Sequence, residues 1–425
     1  MNELQLDEGA LQETLEKYAD LIVRVGLNLQ PGQPLIIQNY RHGGVNLQAA
    51  PLVRAITAAA YRAGAGDVHV VWGDDEIQRM RFAEAEKESL TRPPELEAAF
   101  TQRIVDEGGA LLTLMANDPD LLAEADPERV STVQRAVMEA FSDVREKVTR
   151  NEVNWLVAAA AVPAWAARVF PDLPPDEQQM ALWVALFHAC RVDQTDPIAA
   201  WEEHLRRLER ARDHLNARSY RALHFSGPGT DLRVGLPEGH IWASGAATSS
   251  NGIRFTPNLP TEEVFTLPHR ERVEGTVTAT RPLSYGGRLI RDFSLTFEAG
   301  RVTDIRAGQG EAVLRQLVEM DEGASRLGEV ALVPGSSPIY QSGLLFYNTL
   351  YDENAASHLA LGRAYKVNLQ GGAAMSDEAF AEHGGNSSLA HVDFMIGSPE
   401  LDVDGEMEDG TLEPVMREGE FVLGS

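Results

Sequence analysis

Four short apolar runs, residues 34–38, 67–72, 110–115 and 155–161, recur a few dozen residues apart through the first half of the chain, with helix-patterned stretches between them. This rhythm constrains the fold strongly. Two parallel strands cannot be joined by a tight turn; they need a long crossover, usually a helix and nearly always right-handed. The spacing therefore predicts an α/β N-terminal domain with a mostly parallel sheet covered by helices. Residues 8–27 read as one helix, with Leu11, Leu15, Tyr18, Leu21, Ile22 and Val25 on a common face before Pro31-Gly32 ends it. A second helix is expected over 46–63. A long one over 197–217 packs through Trp201, Leu205, Leu208 and Leu215, leaving His204 and His214 as surface or edge residues.

After Arg218 the texture changes. Segments 222–225, 231–236, 274–280 and 293–297 alternate apolar and polar residues at short intervals, with Gly and Pro between them. They predict an α+β C-terminal domain rich in antiparallel strands, with helices over 310–320 and 354–361. The expected domains are 1–217 and 218–425.

Charge narrows the function. Asp and Glu number 64 against 37 Lys and Arg, a net charge of −27 over 425 residues. A nucleic-acid partner needs a basic face, and an anionic membrane surface asks for the same, so neither is expected. The single cysteine, Cys190, excludes an intrachain disulfide and any multi-cysteine zinc or iron–sulfur site. The acidic, polar N-terminus is unlike a secretory signal, and the apolar stretch 155–167 is too short to span a bilayer. These features lead to the expectation of a soluble, cytoplasmic protein. The first half carries no G-x-G-x-x-G and no Walker pattern, so its glycines read as turns.

More than half of the histidines lie from His224 onward, and the acidic residues near the later ones sit inside apolar runs. Examples are Gly328-Glu329-Val330-Ala331-Leu332, the stretch from Asp352 and Glu353 to His358, and His391-Val392-Asp393-Phe394-Met395. A carboxylate in such a setting is expensive to desolvate unless a cation or hydrogen bonds neutralise it. In a strand, His391 and Asp393 project to one face while Val392 packs behind. Gly328 before Glu329 permits a close backbone approach. Glu353 and His358, five apart, could approach one centre from a helix. With Glu263 from the Thr261-Glu262-Glu263 segment, the candidates are Glu263, Glu329, Glu353, His358, His391 and Asp393. Two imidazoles, several carboxylates and no thiolate suit Zn, Co, Mn or Mg. The count exceeds the needs of one tetrahedral zinc and fits two divalent ions roughly 3.5–4 Å apart that share a carboxylate and an activated water. No H-E-x-x-H and no G-x-S-x-G occurs, and Cys190 reads as a buried thiol.

Four motifs in order, Asn258-Leu-Pro-Thr-Glu-Glu-Val-Phe-Thr266, Gly328-Glu-Val-Ala-Leu-Val333, Asn348-Thr-Leu-Tyr-Asp-Glu-Asn354 through His358-Leu-Ala-Leu-Gly362, and His391-Val-Asp-Phe-Met-Ile-Gly397, resemble the aminopeptidase T/aminopeptidase S family of two-metal aminopeptidases. Pro163-Ala-Trp-Ala166 and Val169-Phe-Pro171 extend the likeness into the first half. The resemblance implies two divalent metal ions per subunit, held by Glu263, Glu329, His358, His391 and Asp393, with Glu329 bridging and Glu353 as a further ligand. It also implies Tyr365 at the metal site, a homodimer, an active site in the second domain, and peptide substrates with free N-termini. The sequence departs from the family at Ser357, where relatives often carry Cys; no implied ligand is affected. In the expected chemistry the metals activate a shared water, and Glu353 is a candidate for moving the proton. Two rivals stand beside this reading. One is a dinuclear phosphoesterase, disfavoured because Arg363 and Lys366 are the only Lys or Arg residues between Asp352 and Asp393. The other is a non-catalytic acidic scaffold with structural metals.

Overall fold

The computed structural model describes residues 8–285 and 288–423. The chain forms two compact units. The first runs to His204 and takes back Ala246–Pro260; the second holds Leu205–Gly245 and everything described from Thr261 onward.

The first unit is α/β. Its sheet has strands β1 (Leu35–Gln38), β2 (Val68–Val70), β3 (Ala110–Met115) and β4 (Trp155–Ala159), in spatial order β2-β1-β3-β4 and parallel throughout. All four lie within the apolar runs that predicted them. The second run is shorter than expected: pairing stops at Val70, and Trp72–Gly73 pairs instead with Val45–Asn46. The first helix is regular over Glu8–Leu21 and closes its last turn, Ile22–Gly26, with wider π-type spacing. Helix Ala50–Arg62 follows a 3-10 turn at Leu47–Ala49. One expectation is corrected here. His204, read as a surface or edge residue, is 4% exposed and packs edge-on against Trp201 at 5.3 Å between ring centres. Cys190 is buried with its sulfur 3.9 Å from the Tyr18 hydroxyl, as a core thiol should be.

The second unit is α+β and rich in antiparallel strands. It has a nine-stranded sheet, which includes Ala222–Gly227, Thr230–Gly235, Val273–Thr278 and Arg288–Glu298 at the predicted alternating segments, and a separate five-stranded sheet. The smaller sheet contains β5 (Ala243–Ser244), β6 (Val264–Thr266), β7 (Leu327–Leu332), β8 (His358–Gly362) and β9 (His391–Met395), in order β9-β8-β7-β6-β5. Every neighbouring pair in it is antiparallel.

This sheet has two unlike faces. Val264, Val330, Leu332, Leu359, Leu361 and Phe394 belong to the apolar core of the unit and are at most 1% exposed. Each such side chain contributes roughly 1.5–3 kcal/mol by leaving water. A one-residue slip would turn the whole set outward, so the register is strongly held. The other face carries Phe265, Ala331, His358, Ala360, His391 and Asp393, because cross-strand partners and residues two apart share a side.

Residues 354–361, expected as a helix, are not one. A 3-10 turn at Glu353–Ala355 leads into strand β8. The strand is buried on both faces between β7 and β9, so His-Leu-Ala-Leu-Gly shows no alternation and mimics a buried helix segment.

Candidate metal centre

Strand β7 carries the central residue. Leu327 and Glu329 are two apart and would share a face in an unbroken strand. A shift of register between them lets Leu327 enter the core while Glu329 joins the opposite face. Gly328, at the irregularity, is pressed against strand β8: an added Cβ would lie 2.3 Å from the Gly362 carbonyl oxygen and 2.4 Å from that of Arg363. The close approach read from this glycine is present.

Around Glu329 the fold assembles two groups whose ligand atoms lie within 4.8 Å of one another: Glu263, Glu329 and His358, and Glu329, His391 and Asp393. Glu329 belongs to both. Its Oε1 is 3.5 Å from His358 Nε2, and its Oε2 is 3.8 Å from His391 Nε2. Glu263 Oε2 lies 3.2 Å from His358 Nε2, and Asp393 Oδ1 lies 3.6 Å from His391 Nε2. Five of the six residues expected as ligands therefore converge. Glu353, at the start of its 3-10 turn, joins neither group, although its carboxyl feels the charges of Asp393, Glu263 and Glu329. The turn is tied to the Glu263 segment through Asn354, whose Oδ1 accepts the Glu262 backbone N–H at 2.7 Å. Tyr365 follows β8 and lays its ring against His391, with centroids 4.8 Å apart.

Both imidazoles are oriented by backbone. His358 Nδ1 is 3.1 Å from the Ala356 carbonyl, and His391 Nδ1 is 2.7 Å from the Arg363 carbonyl. A carbonyl oxygen only accepts, so each Nδ1 carries the proton and each Nε2 faces the carboxylates. That is the usual arrangement behind a metal-ligating histidine. Sequence reasoning missed these two carbonyls, because a main-chain acceptor leaves no signature in residue type.

The electrostatics fit the same use. Glu329 and Asp393 are 5% and 9% exposed. Burial raises the Glu329 pKa; His358 opposes this, and Glu263 adds to it. Burial and then the charges of Asp393 and Glu263 hold Glu353 well above the ordinary carboxyl range. For His358, burial favours the neutral ring, but Glu263 and then Glu329 override it and hold the pKa well above the histidine norm. Tyr365 is raised well above its norm by burial and by Glu329 and Asp393. Glu263 Oε2 and Asp393 Oδ1, one in each group, are buried without a hydrogen-bond donor. Buried carboxylate oxygens lacking a donor are costly unless a cation meets them. Carboxylates and imidazole Nε2 atoms are the donors that divalent ions of the Zn, Co and Mn type accept. The residues present fit such ions.

The family described as thermophilic metalloprotease (M29) matches residues 11–421. The chain belongs to that family. It is 50% identical over 414 residues to aminopeptidase T of Thermus thermophilus, covering 97% of this chain and 100% of the relative. It is 46% identical over 412 residues to aminopeptidase 2 of Geobacillus stearothermophilus, covering 97% and 98%. The solved structure of wild-type AmpT from Thermus thermophilus superposes with a TM-score of 0.91 at 49% identity, covering 97% of this chain and 100% of that one. As an M29 member the chain is a metalloprotease, and its α/β and antiparallel-rich α+β parts match the solved relative. Ser357, where the resemblance suggested Cys, exchanges hydrogen bonds with the Val333 N–H and C=O at 3.0 and 3.1 Å and holds β7 beside β8.

Proposed function

We propose that the protein is an aminopeptidase that removes single residues from peptide N-termini at a centre of two divalent metal ions. The observation that carries this reading is the shared carboxylate: Glu329 turns one oxygen toward each of two histidine-containing groups. Glu263 and His358 would hold one ion, His391 and Asp393 the other, and Glu329 would bridge them. Zinc, cobalt or manganese fits this donor set best. Bound there, the ions would lower the pKa of a water and polarise the scissile carbonyl.

The remaining steps belong to the protein. Glu353, whose carboxyl is pushed up by burial and then by the charges of Asp393 and Glu263, is suited to pass a proton between the attacking water and the leaving amine. The Tyr365 hydroxyl, whose proton is retained to high pH, is suited to donate a hydrogen bond to the carbonyl oxygen as negative charge develops on it. The free α-amino group of a peptide is the natural cationic partner for the surplus carboxylates, which would select chain ends over internal bonds. We further propose that the chain acts as a homodimer in the cytoplasm, in line with its family resemblance. Among the described residues, no helix is long and apolar enough to cross a membrane.

A metal-reconstitution series tests the reading. Protein stripped with chelator should not release leucine from leucyl-p-nitroanilide, and activity should return as the chosen ion is added toward two equivalents. Full activity in the stripped protein would refute it. Saturation at one equivalent would refute the two-ion form.

A further inference from the structure

Phe265 lies on the same face of the five-stranded sheet as the metal-binding candidates, two residues from Glu263. Its cross-strand partners are small, Ala331 on β7 and Ala243 on β5. The ring therefore stands above its neighbours instead of being packed between side chains of its own size. It is half-buried, unlike Val264 and Thr266 on either side, which are buried. Its edge meets the Tyr365 ring at 6.5 Å and an interplanar angle of 72°, and Tyr365 in turn lies 4.8 Å from the His391 ring. An apolar corner of two aromatic rings thus borders a cluster that is otherwise carboxylate and imidazole.

Exopeptidase geometry says what can occupy it. Only one residue lies on the amino side of the bond to be cut. Its carbonyl must reach the metal centre and its amino group the surplus carboxylates, so its Cβ is held close to the cluster. The residues after the bond lead away. A side chain confined there gains by covering exposed aromatic surface.

We propose that Phe265, with the ring of Tyr365, forms the wall that receives the side chain of the substrate's first residue and gives the enzyme a preference for large apolar residues there. This rests on the aminopeptidase reading. Phe265 is a specificity residue in it and takes no part in bond breaking.

The test compares leucyl- and alanyl-p-nitroanilide on the metal-reconstituted wild type, Phe265→Ala and Phe265→Leu, and measures binding of free leucine and free alanine to the same proteins by calorimetry. A pocket wall changes the ratio of the two substrates, whereas a prop for Tyr365 changes both alike. The leucyl-to-alanyl ratio of kcat/KM should fall by about tenfold in Phe265→Ala, the scale set by a few methylenes in an apolar pocket, and largely recover in Phe265→Leu. The calorimetric preference for leucine should fall in parallel. Equal losses on both substrates with the leucine preference intact would overturn the proposal. If the reconstituted wild type cleaves neither anilide, the aminopeptidase reading itself fails; turnover with an unchanged ratio sinks only the pocket.

Discussion

Replacing Glu329 by Gln should change stability in opposite directions with and without metal. The ligand atoms of each three-residue group lie within 4.8 Å of one another, and at an effective dielectric constant of about 20 two unit charges at that distance repel by about 3.5 kcal/mol. Glu329 has one carboxylate neighbour in each group, Glu263 and Asp393, so about 7 kcal/mol of repulsion falls on its charge. Attraction to His358, 3.5 Å from one Glu329 oxygen, and to His391, 3.8 Å from the other, offsets part of this. The neutral amide removes the remaining repulsion, and its N–H can serve a buried carboxylate oxygen now lacking a donor, a gain of about 2 kcal/mol. For a unit of about 200 residues, at roughly 2–4 °C per kcal/mol, metal-free Glu329→Gln should melt about 4–8 °C above metal-free wild type. Added metal reverses the order: wild type gains stability by mass action, and the mutant, without the shared ligand, gains little. Melting curves recorded in chelator and across a metal titration measure both effects. Leucyl anilide turnover should also fall by at least about 100-fold. A mutant that melts lower than wild type in chelator, or that keeps the wild-type response to metal, would refute the charge-relief argument.

Three further outcomes follow from particular contacts. Tyr365→Phe keeps the ring beside His391 and loses the hydroxyl; kcat should drop about 100-fold with KM and metal content little changed, and an equal loss of metal would show a ligand role instead. Gly328→Ala forces a methyl group to within 2.3 Å of the Gly362 carbonyl, which should cost about 1–3 kcal/mol in denaturant melts and weaken metal binding through the Arg363 carbonyl that orients His391. Glu406 is held down to about 2, mainly by Arg233 and with help from His224 and Arg221. Its folded pKa lies below its ordinary one of 4.5, so its stabilisation is complete above about pH 4.5 and lost as pH falls toward 2. Glu406→Gln should destabilise the fold by about 1.5–3 kcal/mol at neutral pH, a deficit that shrinks as the wild type is acidified.

Much of the site was legible because desolvation is legible. Glu329, His358, His391 and Asp393 are anomalous where they stand: charged or polar residues in runs that otherwise read as core. The parallel sheet of the first unit was legible for a related reason, since strands buried on both faces appear as solid apolar runs at crossover spacing. The same solidity concealed β8. A strand covered on both sides loses its alternation, and residues 354–361 then look helical.

The sequence by itself supplied the candidate donors, the absence of thiolate chemistry, the change from α/β to antiparallel texture and the family. These depend on residue types and local spacing, and they survive without coordinates. Tertiary structure decided how the donors divide. No spacing along the chain could show that Glu329 lies between two groups, because Glu263, Glu329, His358 and His391 come from four strands or their ends, joined by the register of one sheet. The register irregularity at Gly328 decided which face Glu329 takes. Two main-chain carbonyls decided which nitrogen each histidine presents. Such choices are made by backbone pairing, and every residue carries the same backbone amide.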